Sequence, residues 1–311
     1  MSASALRFQI GARTLAEIPL RLRRIALSLD QALAGHVPEL PPLAPGEAGY
    51  LVTSLPDALS LPWPGIAFVR QRYTRYHVDL AIGAAAWRAA LSGQSRATLK
   101  RKAKKLAAAN GGTLDVRHYR TPAELGAFHP LARAVSQTTY QERLMGSGLP
   151  ADPAHGRELA AADAVRAWLL FLGDAPIAYL WCGADGETLR YDHVGHDPAH
   201  GELSPGSVLL GEALADLFDD RFRRFDFTEG EGQHKRALAT GGVACRDLLL
   251  LRPTLANRAA VAAVGGFDAA MRVAARAARA RAGGHRAPHP PRLSDSASNR
   301  ARLRLHCRSC I

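Results

Sequence analysis

Residues 168–218 read WLLFLGDAPIAYLWCGADGETLRYDHVGHDPAHGELSPGSVLLGEALADLF. Three strand-like runs, Trp168–Leu172, Ile177–Cys182 and Thr188–Val194, are separated by Gly173-Asp174 and Asp185-Gly186. Glycine beside aspartate suits the backbone of a tight hairpin, so the spacing predicts an antiparallel meander. The loop HDPAHGELSPG follows. Ser204-Pro205 then opens a helix, with serine at the cap and proline at the first helical position. Leu210, Leu214, Leu217 and Phe218 share one face of it. Arg221–Arg224 end the helix and Phe225–Thr228 reads as a strand again. The order strand, strand, strand, helix, strand points to an α+β class.

Outward from that block, Thr14–Leu33 reads as an amphipathic helix and Pro38–Gly46 as a proline-rich connection. Gly49–Leu55 and Ile66–Leu80 read as strands. A basic helix over Ala84–Asn110, a strand over Thr113–Tyr119 and a helix over Pro122–Arg143 follow. Gly146–Gly156 is a loop rich in glycine and proline. Past Thr254, an alanine-arginine helix (Ala259–Arg281) leads to a polar tail whose composition predicts disorder.

The chain has 311 residues, 47% hydrophobic and 22% charged, enough for one large or two modest globular domains. The longest apolar run is Ala167–Leu172, too short to span a bilayer. Arg7, Arg13, Arg21, Arg23 and Arg24 break up the N-terminus, so no secretory leader is expected. Cys182 and Cys245 stand alone, and Cys307 and Cys310 form a CxxC beside His306, which suggests a reducing compartment. That CxxC lacks the second ligand pair of a zinc site, and His196 and His200 with Asp192 and Asp197 lack helical phasing, so no metal is expected.

The net charge is +12, with five lysines against 35 arginines. Four lysines fall at Lys100, Lys102, Lys104 and Lys105, inside a window from Leu80 to Leu114 that contains no Asp or Glu. On a helix, Ser95, Leu99, Ala103 and Leu106 form one apolar stripe, and cations cover most of the remainder. Such a helix is either a solvated face or a site for phosphate-bearing ligands, nucleic acid included. The fifth lysine is Lys235, in FDFTEGEGQHKRAL, residues 225–238. It is either a catalytic ammonium in a cleft or one partner of a structural ion pair with Glu229 or Glu231. Ser204, Pro205, Gly206 and Ser207 begin a helix directly after a strand, where unpaired N–H groups can bind phosphate oxygens.

The runs YDHVGHDPAHGELSPGSVLL and FDFTEGEGQHK, with Ser92, Arg96 and Lys100 upstream, resemble the CelD-like branch of the GNAT acyltransferases, which is related to the FemAB-type aminoacyltransferases. The likeness rests on Asp197, Pro198, Pro205 and Gly206, and on Asp226, Phe227, Gly230 and Lys235. Of the usual glycine-rich pyrophosphate loop only Pro205-Gly206 is kept, and His234 stands where that branch has an aromatic residue. The resemblance implies a GNAT-like N-acyltransferase core with a mixed, mostly antiparallel sheet. Residues 1–90 would be a lobe that is a degenerate second copy of the core, 91–253 the acyltransferase domain, and 254–311 the helix and tail. It implies acyl-CoA, acetyl-CoA included, as co-substrate at Ser204, Pro205, Gly206, Ser207, Arg96 and Lys100. Lys235, Glu229, Glu231, His234 and Asp192 are the catalytic candidates, with His193 beside Asp192. The acceptor would be an amine-bearing small molecule or envelope precursor, handled in the cytoplasm or at the inner face of the membrane. The alternatives are an aminoacyl-tRNA-dependent transferase and a nucleic-acid binder using residues 96–105.

Overall fold

The computed structural model describes residues 3–10, 13–139, 142, 148–230 and 232–283. The strands are β1 (Ala3–Ile10), β2 (Arg13–Ala26), β3 (Gly49–Pro56), β4 (Ile66–Asp79), β5 (Asp115–Tyr119), β6 (Val165–Leu172), β7 (Ala175–Asp185), β8 (Thr188–His196), β9 (Arg224–Asp226) and β10 (Gly241–Leu251). The helices are α1 (Leu29–Leu33), α2 (Ala84–Ala90), α3 (Gly93–Ala109), α4 (Pro122–Thr138), α5 (Ala154–Ala161), α6 (Pro205–Leu217), α7 (Gln233–Leu238) and α8 (Leu255–Gly283). All ten strands join one sheet in the order β1-β2-β3-β10-β4-β9-β8-β7-β6-β5. Neighbours pair antiparallel except β2 with β3 and β8 with β9. This is the α+β class with a mixed, mostly antiparallel sheet that the sequence led us to expect.

The meander β6-β7-β8 is covered on both faces, which is why β6 is buried without interruption from Val165 to Phe171. Trp168 and Leu170 pack with Leu106 of α3 and with Leu209 and Leu214 of α6. Ala167, Leu169 and Phe171 pack with Leu125, Phe128 and Val135 of α4. Each fully buried Leu or Phe contributes ~1.5–3 kcal/mol. A one-residue slip would exchange the two layers, so they also fix the register. Thr121 starts α4 with a capping box: its Oγ1 accepts from Glu124 N–H, and the Glu124 carboxylate accepts from Thr121 N–H at 2.9 Å.

Several elements differ from the expectation: α4 ends at Thr138 and not at Arg143, because Thr139 is extended, and α5 starts at Ala154, inside the loop expected over Gly146–Gly156. Thr14–Leu33 is not one helix: it is strand β2 followed by the short helix α1. Pro19 would cost a helix interior a hydrogen bond, whereas here it pairs only with the edge strand β1, opposite Ala5. Ile18, Leu20 and Leu22 alternate towards Leu6, Leu249 and Leu251. The basic segment is likewise two helices, α2 and α3, because Ser92 leaves the helical region and its Oγ accepts from Ser95 N–H at 3.0 Å. Within α3 the stripe is as expected, with Leu106 fully buried and Leu99 and Ala103 against the same core. β10 lies between β3 and β4, so a strand from late in the chain completes the sheet of the N-terminal lobe. α8 packs on β1, where Phe8 and Phe267 meet edge to face at 5.4 Å. Among the described residues no helix is long and apolar enough to cross a membrane. Glu231, the CxxC at 307–310 and most of the polar tail lie outside the described residues.

Candidate active site

The parallel pairing of β8 with β9 covers only Thr188–Arg190 against Arg224–Asp226. Two local features end it. On the β9 side, Thr228 adopts a left-handed φ of 59°, and its N–H donates to Asp226 Oδ1 at 2.8 Å. The chain then leaves the sheet for α7. On the β8 side, the register with β7 slips between Tyr191 and His193, making Asp192 the extra residue of a bulge, which bends a strand and increases its twist. Beyond Arg190, no strand among the described residues pairs with this edge of β8, which leaves an opening as far as His196.

One face of the opening holds the start of α6. Ser204 is left-handed (φ 55°), and its side chain makes no capping bond, unlike the N-cap read from the sequence. The N–H groups of Ser207 and Val208 return to the Ser204 carbonyl at 3.0 and 3.2 Å. A Cβ on Gly206 would meet nothing nearer than His196 Nδ1, 3.6 Å away. Helix α3 lies across this start. Lys102 Nζ donates to Ser207 Oγ at 3.0 Å, and Lys105 Nζ donates to the Glu202 carbonyl at 2.9 Å. Burial, then the Arg101 charge, lowers the Lys102 pKa. Two ammonium groups beside a helix N-terminus favour an anion. Arg96 is engaged elsewhere: its Nη1 donates to the carbonyls of Arg88, Ala89 and Leu91, closing the end of α2. Lys100 is exposed. From the sequence, Lys105 belongs with Lys100, Arg101 and Lys104 to a face expected to attract an anionic donor or acceptor, whereas Lys102 was only one of the cations of the basic window. Its signal was its phase, since Lys102 adjoins the apolar stripe of α3.

The other face carries the catalytic candidates. Lys235 is 4% exposed and donates to the carbonyls of Phe227 at 2.8 Å and Glu229 at 2.7 Å. It therefore clamps the turn after β9, and burial lowers its pKa. Glu229 is half-buried, with Arg24 Nη2 at 3.7 Å from its carboxylate. Desolvation, then the charge of Asp247, raises its pKa. Beneath it, Asp226 is fully buried against Arg75. The guanidinium donates to Asp226 through Nε at 3.2 Å and Nη2 at 2.5 Å, and through Nη1 to the Leu27 carbonyl at 2.8 Å. Asp192 is held by Arg190 at 3.2 Å and by Gly183 N–H at 3.1 Å. His234 stands at the surface of α7; partial desolvation, then the charges of Lys235 and Lys102, lower its pKa. The structure thus brings Glu229 and Lys235 together and puts His234 towards the α3 lysines. Sequence reasoning missed Arg24 and Arg75, which arrive from the N-terminal lobe.

Residues 93–236 match the family described as Acetyltransferase (GNAT) domain. That match spans just under half of the chain and supports an acyltransferase. The match begins with α3 and ends one residue after Lys235, so it takes in both faces of the opening. No curated protein matches the chain by sequence. Among solved structures, the C-terminal domain (DUF2156) of a protein described as a lysylphosphatidylglycerol synthetase from Agrobacterium fabrum superposes with a TM-score of 0.48 at 12% identity, over 70% of each chain. A GCN5-related N-acetyltransferase from Kribbella flavida gives 0.37 at 13% identity, over 67% of this chain and 71% of that one. FemX gives 0.41 at 8% identity, over 66% and 72%.

Proposed function

We propose that the acyltransferase domain passes an acyl group from acyl-CoA, acetyl-CoA in the simplest case, to an amine. The carrying observation is the free edge of β8 beside the α6 start and its lysines. The donor's diphosphate sits at Gly206 and Ser207 between Lys102 and Lys105. Its amide-bearing arm lies along β8 in place of the missing strand, with backbone hydrogen bonds as in strand addition. The thioester is then level with the bulge at Asp192. The amine comes from the opposite face and gives its proton to the Glu229 carboxylate, whose raised pKa makes it a better base. The nitrogen bonds to the thioester carbon, the C–S bond breaks, and the sulfur leaves as thiolate and takes up a proton. Lys235 acts from beneath as a positioning residue, holding the carbonyls that set Glu229. The motif resemblance supports a CelD-like setting with a small-molecule or envelope amine at the cytoplasmic side, and a degenerate copy of the core in the N-terminal lobe.

Calorimetry with acetyl-CoA tests the donor site. Gly206→Glu adds bulk and negative charge at the phosphates and should weaken binding about 100-fold, ~2.7 kcal/mol; equal affinity in variant and parent overturns the assignment. One observation favours an RNA-borne donor: Lys100, Arg101 and Lys104 are exposed on the outer side of α3. Competition by tRNA for acetyl-CoA binding would select that reading.

A further inference from the structure

At Asp247, β10 slips register against both of its neighbours: against β3 between Arg246 and Leu248, and against β4 between Asp247 and Leu248. Such bulges re-aim a side chain. Across on β3, Ser54 holds a left-handed φ of 59°, a costly conformation for a residue with a side chain. It brings a hydrogen bond, since Ser54 N–H donates to Asp247 Oδ1 at 3.0 Å. The Tyr73 hydroxyl donates to the same oxygen at 3.1 Å, and Gln71 Nε2 donates to Oδ2 at 2.7 Å. Burial raises the Tyr73 pKa, so its hydroxyl keeps its proton and stays a donor. Asp247 is 5% exposed, and these three donors are neutral, whereas Asp226 is answered by the Arg75 guanidinium.

Gln71, Tyr73 and Arg75 alternate along β4 and share one face of the sheet. They set Asp247 and Asp226 in a row on that face. Glu229 follows Asp226 by three residues, yet its carboxylate lies 3.7 Å from Arg24 of β2, which is beyond β4, β10 and β3 in the sheet. The turn after β9 therefore carries Glu229 back over the row. The charged and titratable groups that bear on it are Arg24 of β2, Tyr73 and Arg75 of β4, Asp226 of β9, Lys235 of α7 and Asp247 of β10. Arg24 is exposed, so water screens it. Arg75 and Asp226 offset each other, and Lys235 is turned to the Phe227 and Glu229 carbonyls. Asp247 is the buried charge whose own hydrogen bonds bring no opposite charge.

We propose that Asp247 is a positioning residue that acts through Glu229, its charge making the carboxylate that faces the amine a stronger base. The claim rests on the acyl-transfer reading, in which Glu229 takes the amine's proton. Two variants of the full chain test it. Asp247→Asn removes the charge and keeps the shape, because the Gln71 amide can turn over and accept from the new Nδ2. Gln71→Lys leaves Asp247 in place and sets an ammonium beside it from an exposed position, so it decides alone if Asp247→Asn does not fold. The protein is labelled with carbon-13 at the glutamate side-chain carboxyl, and the Glu229 resonance is identified by its loss in Glu229→Gln. Its proton affinity should fall at least about threefold in both variants. The acid limb of acetyl transfer from acetyl-CoA to butylamine should move to lower pH with it, and the plateau should drop because the base is weaker. A merely structural role would change the melting temperature and leave both readouts where they are. Proton affinity unchanged in the variants overturns the proposal. Proton affinity that falls while the limb stays in place, or with no transfer to butylamine, supports the hold of Asp247 on Glu229 and overturns Glu229 as the base of the acyl-transfer reading.

Discussion

On the phosphate-facing side of the β8–β9 opening, Ser204 to Ser207 are consecutive, and the lysines that reach Ser207 and the preceding Glu202, Lys102 and Lys105, lie on one helix, α3. On the amine-facing side, Glu229 is set by Lys235 of α7, Arg24 of β2 and, beneath it, the Arg75–Asp226 pair between β4 and β9. The first side joins two short segments, α3 and the start of α6, each local in itself and both within residues 93–236, though Lys102 and Ser207 are 105 residues apart. The second is a tertiary assembly, which depends on the N-terminal lobe being docked. A substitution that loosens the lobe should therefore damage the amine side and spare the phosphate side.

The largest expected effect follows from that dependence. Asp226→Asn keeps the volume but leaves Arg75, 5% exposed, without a counter-charge. Breaking a buried pair costs about 3–5 kcal/mol, which should lower the thermal midpoint by roughly 10 °C. Calorimetric unfolding checks it, and a midpoint within about 2 °C of the parent would show that the lobes are tied by other contacts. Next, Glu229→Gln should lower kcat by about 100-fold, the lower end for loss of a general base. The base must be deprotonated, so the parent's rate rises with pH through a value above the ordinary 4.5 of a glutamate. That acid limb should vanish in the variant's pH profile, and a limb that persists would assign the base elsewhere.

Lys235→Met comes third. It removes the donor from two carbonyls and should cost about 1–3 kcal/mol. The folded-state pKa of Lys235 lies below its unfolded value of 10.5, so the unfolded chain binds more protons between the two and the parent gains stability as pH rises through that window. The gap between parent and variant should therefore widen towards pH 10, as read from denaturant midpoints. A narrowing gap would mean that the ammonium is held by a charge partner. Lys235→Arg should not restore kcat, because a planar guanidinium replaces the compact ammonium that donates to both the Phe227 and Glu229 carbonyls.

The sequence made the local side legible. The turns of the meander, proline after Ser204 and the apolar stripe of α3 are all written within a few residues of where they act. The edge of β8 was not readable, because it arises from a bulge at Asp192 and a left-handed Thr228, neither of which has a glycine to announce it. Thr14–Leu33 misled for a related reason. Its leucines and isoleucines satisfy helical and alternating spacing alike over a short run, and only pairing with β1 and β3 decides between them. Lys235 drew notice as a lone lysine, but the sequence offered carboxylate partners, whereas the fold supplies carbonyls. Arg75 and Asp226 are 151 residues apart, and no spacing rule joins them.

The smallest effect separates local from diffuse charge on the phosphate side. Lys102 is half-buried with its Nζ 3.0 Å from Ser207 Oγ, so its charge acts on the α6 start through little water. Lys100 is two residues away and exposed, where the ~8 Å screening length at physiological salt weakens it. Lys102→Met should therefore weaken acetyl-CoA by about tenfold, ~1.4 kcal/mol, and flatten the salt dependence of binding. Lys100→Met should change affinity by less than about twofold. Calorimetry at two salt concentrations decides it. If the two variants lose affinity equally, α3 acts as a field of charge and not as a contact. The phosphate side would then be as distributed as the amine side, and a polyanionic donor would become the better fit to Lys100, Arg101 and Lys104.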